Sequence, residues 1–405
     1  MGGTNMKSWR LLSLVGLSVI SLSHAGVSAA ETQPVGSWST PPENIGSGIG
    51  QVTVREFVHS SVGGTAARIR LSNEYGQEPL VVQDAHLALR DTTTVNGVLT
   101  ATDHTVTFGG STSVTIPVGA LAISDPVEMK VPALTDVGVS FYLPASTFTS
   151  VTGQNATFDK TGFLAYGGDY DAAATLPQGA PSLPVAFFLV GLDVQGDEAR
   201  GAVVALGASI TGGVGSTLDA NNRWTDVLAQ RLVKARLDIG VLNSGISGDN
   251  ALNDAGGPNG QRRFDTDVIA QAGVHWVILS DLPINNFGAD PATGAEPIAA
   301  LKQFIVRSHE KRIKVLCSTL TPFKGYPAWT TDLEAGREAY NTFVKSAHSG
   351  CDGVIDQAKA VSDPNNPLQY LTAYDSGDHL HPSPAGHAAI ANSIDLMLFL
   401  EAPLR

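Results

Sequence analysis

Two patterns of hydrophobic and polar residues divide the chain near residue 196. Before that point, short runs alternate apolar with polar residues, and glycine-bearing or polar turns separate them; examples are ARIRLSN, AHLALRD, HTVTF, VSFYLPA and AFFLVGLDV. Alternation with a period of two is typical of strands with one buried face, and no clear helical pattern interrupts it. The pattern predicts a jelly-roll-like, antiparallel β-sandwich over residues 31–196.

The second half, residues 197–405, has a different pattern. Its apolar, β-branched runs are AVVAL, DIGVLN, WVILS, IKVLCS and GVID, and amphipathic stretches such as RWTDVLAQRLVKA, IAALKQFIVRSHEK and LEAGREAYNTFVKSAH lie between them. Buried strands that alternate with helices predict an α/β domain with a parallel sheet covered on both faces. Ligands of such sheets bind beyond the carboxyl ends of the strands, so the loops at those ends are where a site is expected.

Residues 1–30 resemble neither half. Lys7 and Arg10 precede the apolar run LLSLVGLSVISL, and small residues follow it as far as Ala29 and Ala30. This order predicts a secretory signal peptide that is cleaved near those alanines. The apolar run is short and serine-rich for a membrane span. We therefore expect a secreted or periplasmic protein without stable membrane insertion.

Composition and charge narrow the classes of partner. With 43% hydrophobic and 16% charged residues, the 405-residue chain is typical of a folded protein. Its net charge is −13, and loss of the two basic leader residues would make it −15. An acidic surface repels nucleic acid and anionic lipid, so neither is expected as a partner. The two cysteines, Cys317 and Cys351, could form a disulfide or remain buried free thiols, and the sequence leaves both alternatives open.

Three of the predicted strands end in candidate catalytic loops. The first leads into LGASITGG, where Ser209 lies in a glycine-bearing turn. The motif is not a nucleophile elbow, because Thr211 stands where the second glycine would be, and its glycine spacing fits no phosphate loop. NSGISGDN and LPINNFG follow the next two strands and contain Gly248 and Asn285. With the N–H of Ser209, a backbone N–H and a side-chain amide there could surround a developing oxyanion, although each residue alone is more often part of a turn.

The decapeptide DHLHPSPAGH near the C-terminus adds a carboxylate and histidines. Asp378 and His381 are spaced so that the carboxylate can reach Nδ1 of the imidazole and leave Nε2 for a serine proton. Ser383 and Pro384 predict the N-cap and first position of a helix that contains His387. No fourth metal ligand at a suitable spacing is visible, so we do not expect a metal site.

These segments resemble a known family when they are taken together. GASITGG, NSGISGDN, LPINNFG and DSGDHLHPSPAGH are similar, in order and spacing, to the four blocks of the SGNH hydrolases, also called GDSL lipases and esterases. DANNRWTDVLAQRL and LTPFKGYPAW further resemble a secreted branch that has an N-terminal β-domain. The resemblance implies a three-layer α/β/α fold and cofactor-free hydrolysis of carboxylic esters. It implies Ser209 as nucleophile, His381 as general base and Asp378 as its orienting carboxylate, with the oxyanion donors on Ser209, Gly248 and Asn285.

The sequence departs from the family pattern beside two of these residues. Ala208 replaces the usual aspartate before the serine, and Pro283 and Asn286 replace the glycine and aspartate around Asn285. The segment SDLPINN is also one residue longer than the resemblance implies. A proline restricts its own φ and the residue before it, so Pro283 would make this loop rigid at a position where the family pattern has glycine.

Two functions of different classes follow. The first is a secreted serine esterase whose substrate is an acylated polysaccharide or a lipid, with short acyl or carbohydrate acetyl esters favoured because no strongly apolar loop adjoins the four blocks. The alternative is a glycan-binding protein with a degenerate, inactive hydrolase domain. Its stacking surface would come from aromatic residues of the β-sandwich: Trp38, Tyr75, Phe141 and Tyr142.

Overall fold

The computed structural model describes residues 1–3, 33–144, 148–155, 159, 161–196 and 199–400. Almost all of the predicted leader, residues 4–30, lies outside these ranges. The residues from Gln33 onward form one compact unit. The division predicted at residue 196 therefore stays a prediction.

The N-terminal half is built from antiparallel strands, as its period-two pattern predicts. Their bounds are β1 (Val35–Ser39), β2 (Glu43–Asn44), β3 (Val52–His59), β4 (Ala66–Ser72), β5 (Leu80–Asp91), β6 (Gly97–Val98), β7 (His104–Thr105), β8 (Val114–Ile116), β9 (Leu121–Ile123), β10 (Asp136–Leu143), β11 (Thr152–Gln154), β12 (Gly162–Tyr166), β13 (Ser182–Leu183), β14 (Ala186–Phe187) and β15 (Leu189–Gln195).

These strands form three sheets. One has the order β1-β15-β4-β9, and a larger one has the order β13-β12-β3-β10-β5-β6, with β7 and β8 also paired to β5. A short third sheet has the order β14-β11-β2. Phe141 on β10 is fully buried in the apolar core, so it is not available as a stacking surface for a glycan.

The second half contains the parallel sheet that its apolar runs predict. Its strands are β16 (Ala202–Gly207), β17 (Gly240–Gly245), β18 (Val274–Leu279), β19 (Lys314–Ser318) and β20 (Gly353–Ile355), and a hairpin of β21 (Ser362–Asp363) and β22 (Asn366–Tyr370) follows. The parallel strands lie in the order β17-β16-β18-β19-β20. The chain therefore reverses its direction of winding between β16 and β18, and this is the position where ligands of such sheets bind.

Helices cover both faces of the parallel sheet. They are α1 (Ser209–Gly212), α2 (Trp224–Lys234), α3 (Gly260–Phe264), α4 (Ala295–Glu310), α5 (Thr331–Lys345), α6 (Gln357–Val361) and α7 (Pro384–Ser393). A π-helical turn lies at Asp265–Ile269, and 3-10 turns lie at Leu282–Asn285, Pro291–Thr293, Thr372–Tyr374 and Leu396–Phe399. One further 3-10 turn, Thr100–Thr102, belongs to the β-rich half. Alternate β16 residues contact opposite layers: Val204 and Leu206 share a core with α3, α4 and α5, whereas Val203 and Ala205 share one with α2, α6 and α7. The α/β/α class is thereby confirmed.

The β-rich half packs directly on the edge strand of the parallel sheet. Gly36 of β1 and Gly240 of β17 approach so closely that a β-carbon on either would collide with the other strand. The Ser61 hydroxyl accepts a hydrogen bond of 2.8 Å from the N–H of Val241. One apolar core runs from the β-sandwich to the inner face of the parallel sheet. The β-rich half is therefore packed against the strand that leads to Gly248.

The two cysteines are joined. Cys317 lies on β19 and Cys351 just before β20, and the structure pairs them as a disulfide with 5.9 Å between their Cα atoms. The alternative of free thiols is therefore wrong. Across the described part of the chain, no helix is long and apolar enough to span a membrane.

Candidate active site

A buried carboxylate holds the turn that carries Ser209. Strand β16 ends at Gly207, and Ser209 is the first residue of α1. Asp281 accepts hydrogen bonds from the N–H of Ala208 at 3.1 Å, from the N–H of Ile210 at 2.8 Å and from the hydroxyl of Thr211 at 2.5 Å. Because these bonds flank Ser209 on both sides, they determine where its side chain leaves the backbone.

Two neighbouring residues explain why this turn has its sequence. A β-carbon at Gly207 would overlap the side chains of Thr211 and Asp281, so only glycine fits there. Ala208 is fully buried and carries no carboxylate. Asp281, from the loop after β18, places one beside the serine instead. No motif in the sequence indicated Asp281, although its position at a strand end was a usable signal.

The structure joins Ser209, His381 and Asp378 in one hydrogen-bonded row. Nε2 of His381 lies 2.9 Å from Oγ of Ser209, and Nδ1 lies 2.6 Å from Oδ2 of Asp378. The Ser209 residue is 8% exposed and the His381 side chain 14%. The serine is therefore accessible only over a small area, with the imidazole on one side of it.

Asp378 is held as a carboxylate by its own loop. Its Oδ1 accepts bonds of 2.9 Å from the N–H groups of Leu380 and His381, and another of 3.1 Å from the hydroxyl of Ser376. Burial alone would raise the pKa of Asp378, but the hydrogen bonds from His381 and Leu380 lower it to about 2. The Tyr370 hydroxyl also holds this loop, because it donates to the carbonyl of Leu380 at 3.1 Å.

The same loop holds a second histidine–carboxylate pair, His379 and Asp375. Nδ1 of His379 lies 2.6 Å from Oδ2 of Asp375, whose Oδ1 accepts from the N–H of Gly377 and of His379. His379 has a φ of +65°, a strained value for a residue with a side chain. Its ring packs on Gly325, so this pair fixes the shape of the loop beside the triad.

The predicted oxyanion donors lie on the loops after β17 and β18. Gly248 is exposed and has a φ of +77°, a conformation that favours glycine. Asn285 ends the 3-10 turn Leu282–Asn285, in which Pro283 is the second residue, and its Nδ2 donates to the carbonyl of Asp249 at 2.8 Å. Within the residues described, the N–H groups of Ser209 and Gly248 have no hydrogen-bond partner. The bond from Asn285 to Asp249 connects Asn285 to the residue that follows Gly248.

Asn286, at the position where the family pattern has aspartate, contacts helix α4. It is buried, and its Nδ2 lies 3.5 Å from Oε2 of Glu296.

A buried arginine lies behind these loops. Arg263 on α3 is 3% exposed, and it pairs with Asp249 at 2.9 Å and with Asp267 at 2.8 Å. Its other N–H groups donate to the carbonyls of Gly207 and Ser244, at the ends of β16 and β17. Burial raises the pKa of Asp249 to about 7, although the charge of Arg263 opposes that shift. No motif in the sequence indicated Arg263.

His387 has a structural position. Ser383 caps α7 as predicted, accepting from the N–H of Gly386. Within that helix His387 is fully buried; it accepts from the N–H of Trp224 and donates through Nε2 to the carbonyl of Val214. Burial lowers the pKa of His387 to about 4, so the ring is neutral. No cluster of potential metal-binding side chains is found among the described residues.

The part of the chain that carries this site matches a known protein family. Residues 205–389 match the model of the GDSL-like Lipase/Acylhydrolase family, so this part of the chain is a GDSL-like lipase/acylhydrolase domain. The resemblance noted from the four blocks is thereby confirmed. No curated protein matches the sequence.

Several solved structures are similar to about half of the chain. A lipolytic protein of the G-D-S-L family from Desulfitobacterium hafniense is 22% identical, with 47% of this chain and 96% of that chain covered and a TM-score of 0.35. An acetyl xylan esterase from Geobacillus stearothermophilus is 20% identical, with 50% and 95% covered and a TM-score of 0.37. A GDSL-like lipase from Bacteroides thetaiotaomicron is 16% identical, with 49% and 88% covered and a TM-score of 0.34.

Proposed function

We propose that this protein is an exported serine esterase that hydrolyses carboxylic esters through an acyl-serine intermediate. The observation that supports this most directly is the row of hydrogen bonds from Asp378 through His381 to Ser209. A serine is a weak nucleophile unless a base takes its proton, and here the base and its orienting carboxylate both lie within hydrogen-bond distance.

In the first half of the reaction, Oγ of Ser209 attacks the ester carbonyl while Nε2 of His381 takes its proton. The carboxylate of Asp378 holds the imidazole and stabilises the positive charge that forms on it. The protonated imidazole then donates its proton to the departing alcohol. In the second half, His381 accepts a proton from the water that attacks the acyl-serine, and it returns that proton to Oγ of Ser209 as the acid leaves.

The oxyanion is stabilised by the N–H of Ser209, the N–H of Gly248 and the side-chain amide of Asn285. One amide hydrogen of Asn285 is used by the carbonyl of Asp249, and the second remains for the oxyanion. Loss of one such donor raises a barrier by about 3 kcal/mol, or roughly a hundredfold in rate.

Short acyl groups and acetylated carbohydrate are the favoured substrates within this proposal, with lipids less favoured. The loop that carries Asp378 and His381 has polar side chains at Asp375, Ser376 and His379. A long acyl chain would need an apolar surface at this position. The acidic net charge of −13 argues against nucleic acid as a partner.

Export is proposed from two features. The first residues have the composition of a secretory leader, which would deliver the protein to the periplasm or outside the cell. The disulfide between Cys317 and Cys351 would be stable in such an oxidising compartment.

The experiment that tests the function is hydrolysis of p-nitrophenyl esters from acetate to palmitate. The mature protein is compared with its Ser209→Ala variant and with Ser393→Ala, which changes an exposed serine at the end of α7. We expect turnover in the wild type and in Ser393→Ala, with acetate preferred, and none above background in Ser209→Ala. Equal inertness of all three proteins would contradict the proposal and favour the glycan-binding alternative.

A further inference from the structure

Arg263 connects the ends of the two strands that lead into the site. Its Nη2 donates to the carbonyl of Gly207 at 3.0 Å, two residues before Ser209. Its Nη1 donates to the carbonyl of Ser244 at 2.9 Å and to the Ser244 hydroxyl at 3.0 Å. One planar guanidinium therefore fixes the distance between the ends of β16 and β17, where their loops begin.

The same guanidinium holds the loop that carries Gly248. Nε of Arg263 lies 2.9 Å from Oδ2 of Asp249, and Oδ1 of that carboxylate accepts from the N–H of Asn250 at 2.7 Å. The main-chain carbonyl of Asp249 accepts from Nδ2 of Asn285 at 2.8 Å. Asp249 follows Gly248 in the chain and is bonded to Asn285, so it connects two of the proposed oxyanion donors. Arg263 fixes its side chain.

The charge balance of this cluster depends on the arginine. Asp249 and Asp267 are both buried, and Glu43 of β2 is also close enough to interact with Arg263. Two buried carboxylates without a cation would repel each other or take up a proton. Either response would release the side chain of Asp249 from its present position.

We propose that Arg263 is a positioning residue for the oxyanion site, which it holds together through Asp249. This inference rests on the proposed esterase function. Arg263 does not touch the substrate, since it is buried behind the loops. It holds the N–H of Gly248 and the amide of Asn285 at the spacing that a tetrahedral oxyanion requires.

The test compares Arg263→Lys and Arg263→Gln with the same substitutions at Arg262. The control residue is the neighbour of Arg263 on α3, but its ion pair with Asp254 is exposed. Circular dichroism and thermal melting establish folding, and p-nitrophenyl acetate gives kcat and KM. We expect kcat to fall on the order of tenfold in Arg263→Lys and a hundredfold in Arg263→Gln, with KM changed less than about threefold. The Arg262 variants should match the wild type.

A double-mutant cycle separates positioning from general loss of structure. If Arg263 acts through the oxyanion site, Arg263→Gln should cost little more once Asn285→Ala has already damaged that site. If the decreases in kcat of the two single variants multiply in the double variant, the inference is overturned. Folded Arg263 variants with wild-type kcat would also overturn it.

Asp249→Asn provides a second variant if Arg263→Gln does not fold. It preserves the shape of the side chain and removes its charge. We expect a lower kcat that is again non-additive with Asn285→Ala, and a wild-type kcat would contradict the inference. A wild type without Ser209-dependent turnover would instead overturn the esterase function, and this inference with it.

Discussion

Asp281 accepts hydrogen bonds from the backbone N–H groups on both sides of Ser209, although 72 positions separate the two residues in the sequence. The carboxylate is 3% exposed and lies at the reversal point of the sheet, between β16 and β18. It therefore orients the proposed nucleophile from the loop that follows a different strand, beside an alanine at position 208.

Replacement of Asp281 by asparagine tests this role. The new NH2 group would face the N–H of Ala208 or of Ile210, so one donor would lose its acceptor. Hydrogen bonds to charged groups contribute about 1.5–3 kcal/mol, and we expect a loss of stability of that size together with a fall in kcat of at least about tenfold. Urea unfolding and ester kinetics measure the two effects. Asp290→Asn, at an exposed position, is the control; equal kinetics in both variants would contradict the role.

Asp378→Asn tests which of the two interleaved carboxylate pairs serves the serine. An amide cannot stabilise the imidazolium and favours the wrong tautomer of His381, so we expect kcat to fall on the order of a thousandfold or more. Asp375→Asn alters only the partner of His379, and its kcat should fall less than about tenfold. Steady-state kinetics on p-nitrophenyl acetate measure both. Comparable losses in the two variants would mean that loop shape, rather than the Asp378 charge, limits the rate.

The secondary structure was predictable because both halves have regular periodicity. Runs such as AVVAL and WVILS became β16 and β18, and the predicted cap at Ser383 was confirmed. Ser209, Asp378 and His381 were predictable as a group because each follows a strand or precedes a helix in a recognisable motif. Their proximity depends on the order of the strands, whereas the resemblance implied only a three-layer α/β/α fold.

The supporting residues were not predictable in the same way. Asp281 and Arg263 act on backbone groups of other strands, so their importance depends on strand order and register, which no local pattern encodes. Arg263 also lies in an ordinary charged stretch, QRRFD, where Arg262 is exposed and Arg263 is buried. The pairing of Cys317 with Cys351 likewise required the positions of β19 and β20.

His387 should make the stability of the protein sensitive to acid. An unfolded histidine takes up a proton near pH 6.5, whereas the pKa of His387 in the fold is lowered to about 4 by burial. Between these values the unfolded chain binds more protons, so the free energy of unfolding falls as the pH decreases. The full contribution is present above about pH 6.5, and a few kcal/mol are lost by pH 4.

His387→Gln is the corresponding variant, because its amide can still donate to the carbonyl of Val214 and accept from the N–H of Trp224. We expect a smaller decrease in the free energy of unfolding between pH 7 and pH 4 than in the wild type, measured by urea titration at several pH values. His348→Gln, at an exposed position, should keep the wild-type slope. An unchanged slope in His387→Gln would show that other groups cause the acid sensitivity.

Gln154 connects the β-rich half to the end of β17, the strand that leads to Gly248. It lies on β11, and its Nε2 donates to the carbonyl of Gly245 at 2.7 Å, three residues before Gly248. Gln154→Leu keeps the size of the side chain and removes this donor together with the oxygen that accepts from the Thr40 hydroxyl, and each such bond contributes about 1 kcal/mol net. If this bond steadies the loop after β17, kcat on p-nitrophenyl acetate should fall by about fivefold with little change in KM. Gln83→Leu, exposed on β5, should leave kcat unchanged. A wild-type kcat in Gln154→Leu would mean that the loop after β17 keeps its shape without this bond.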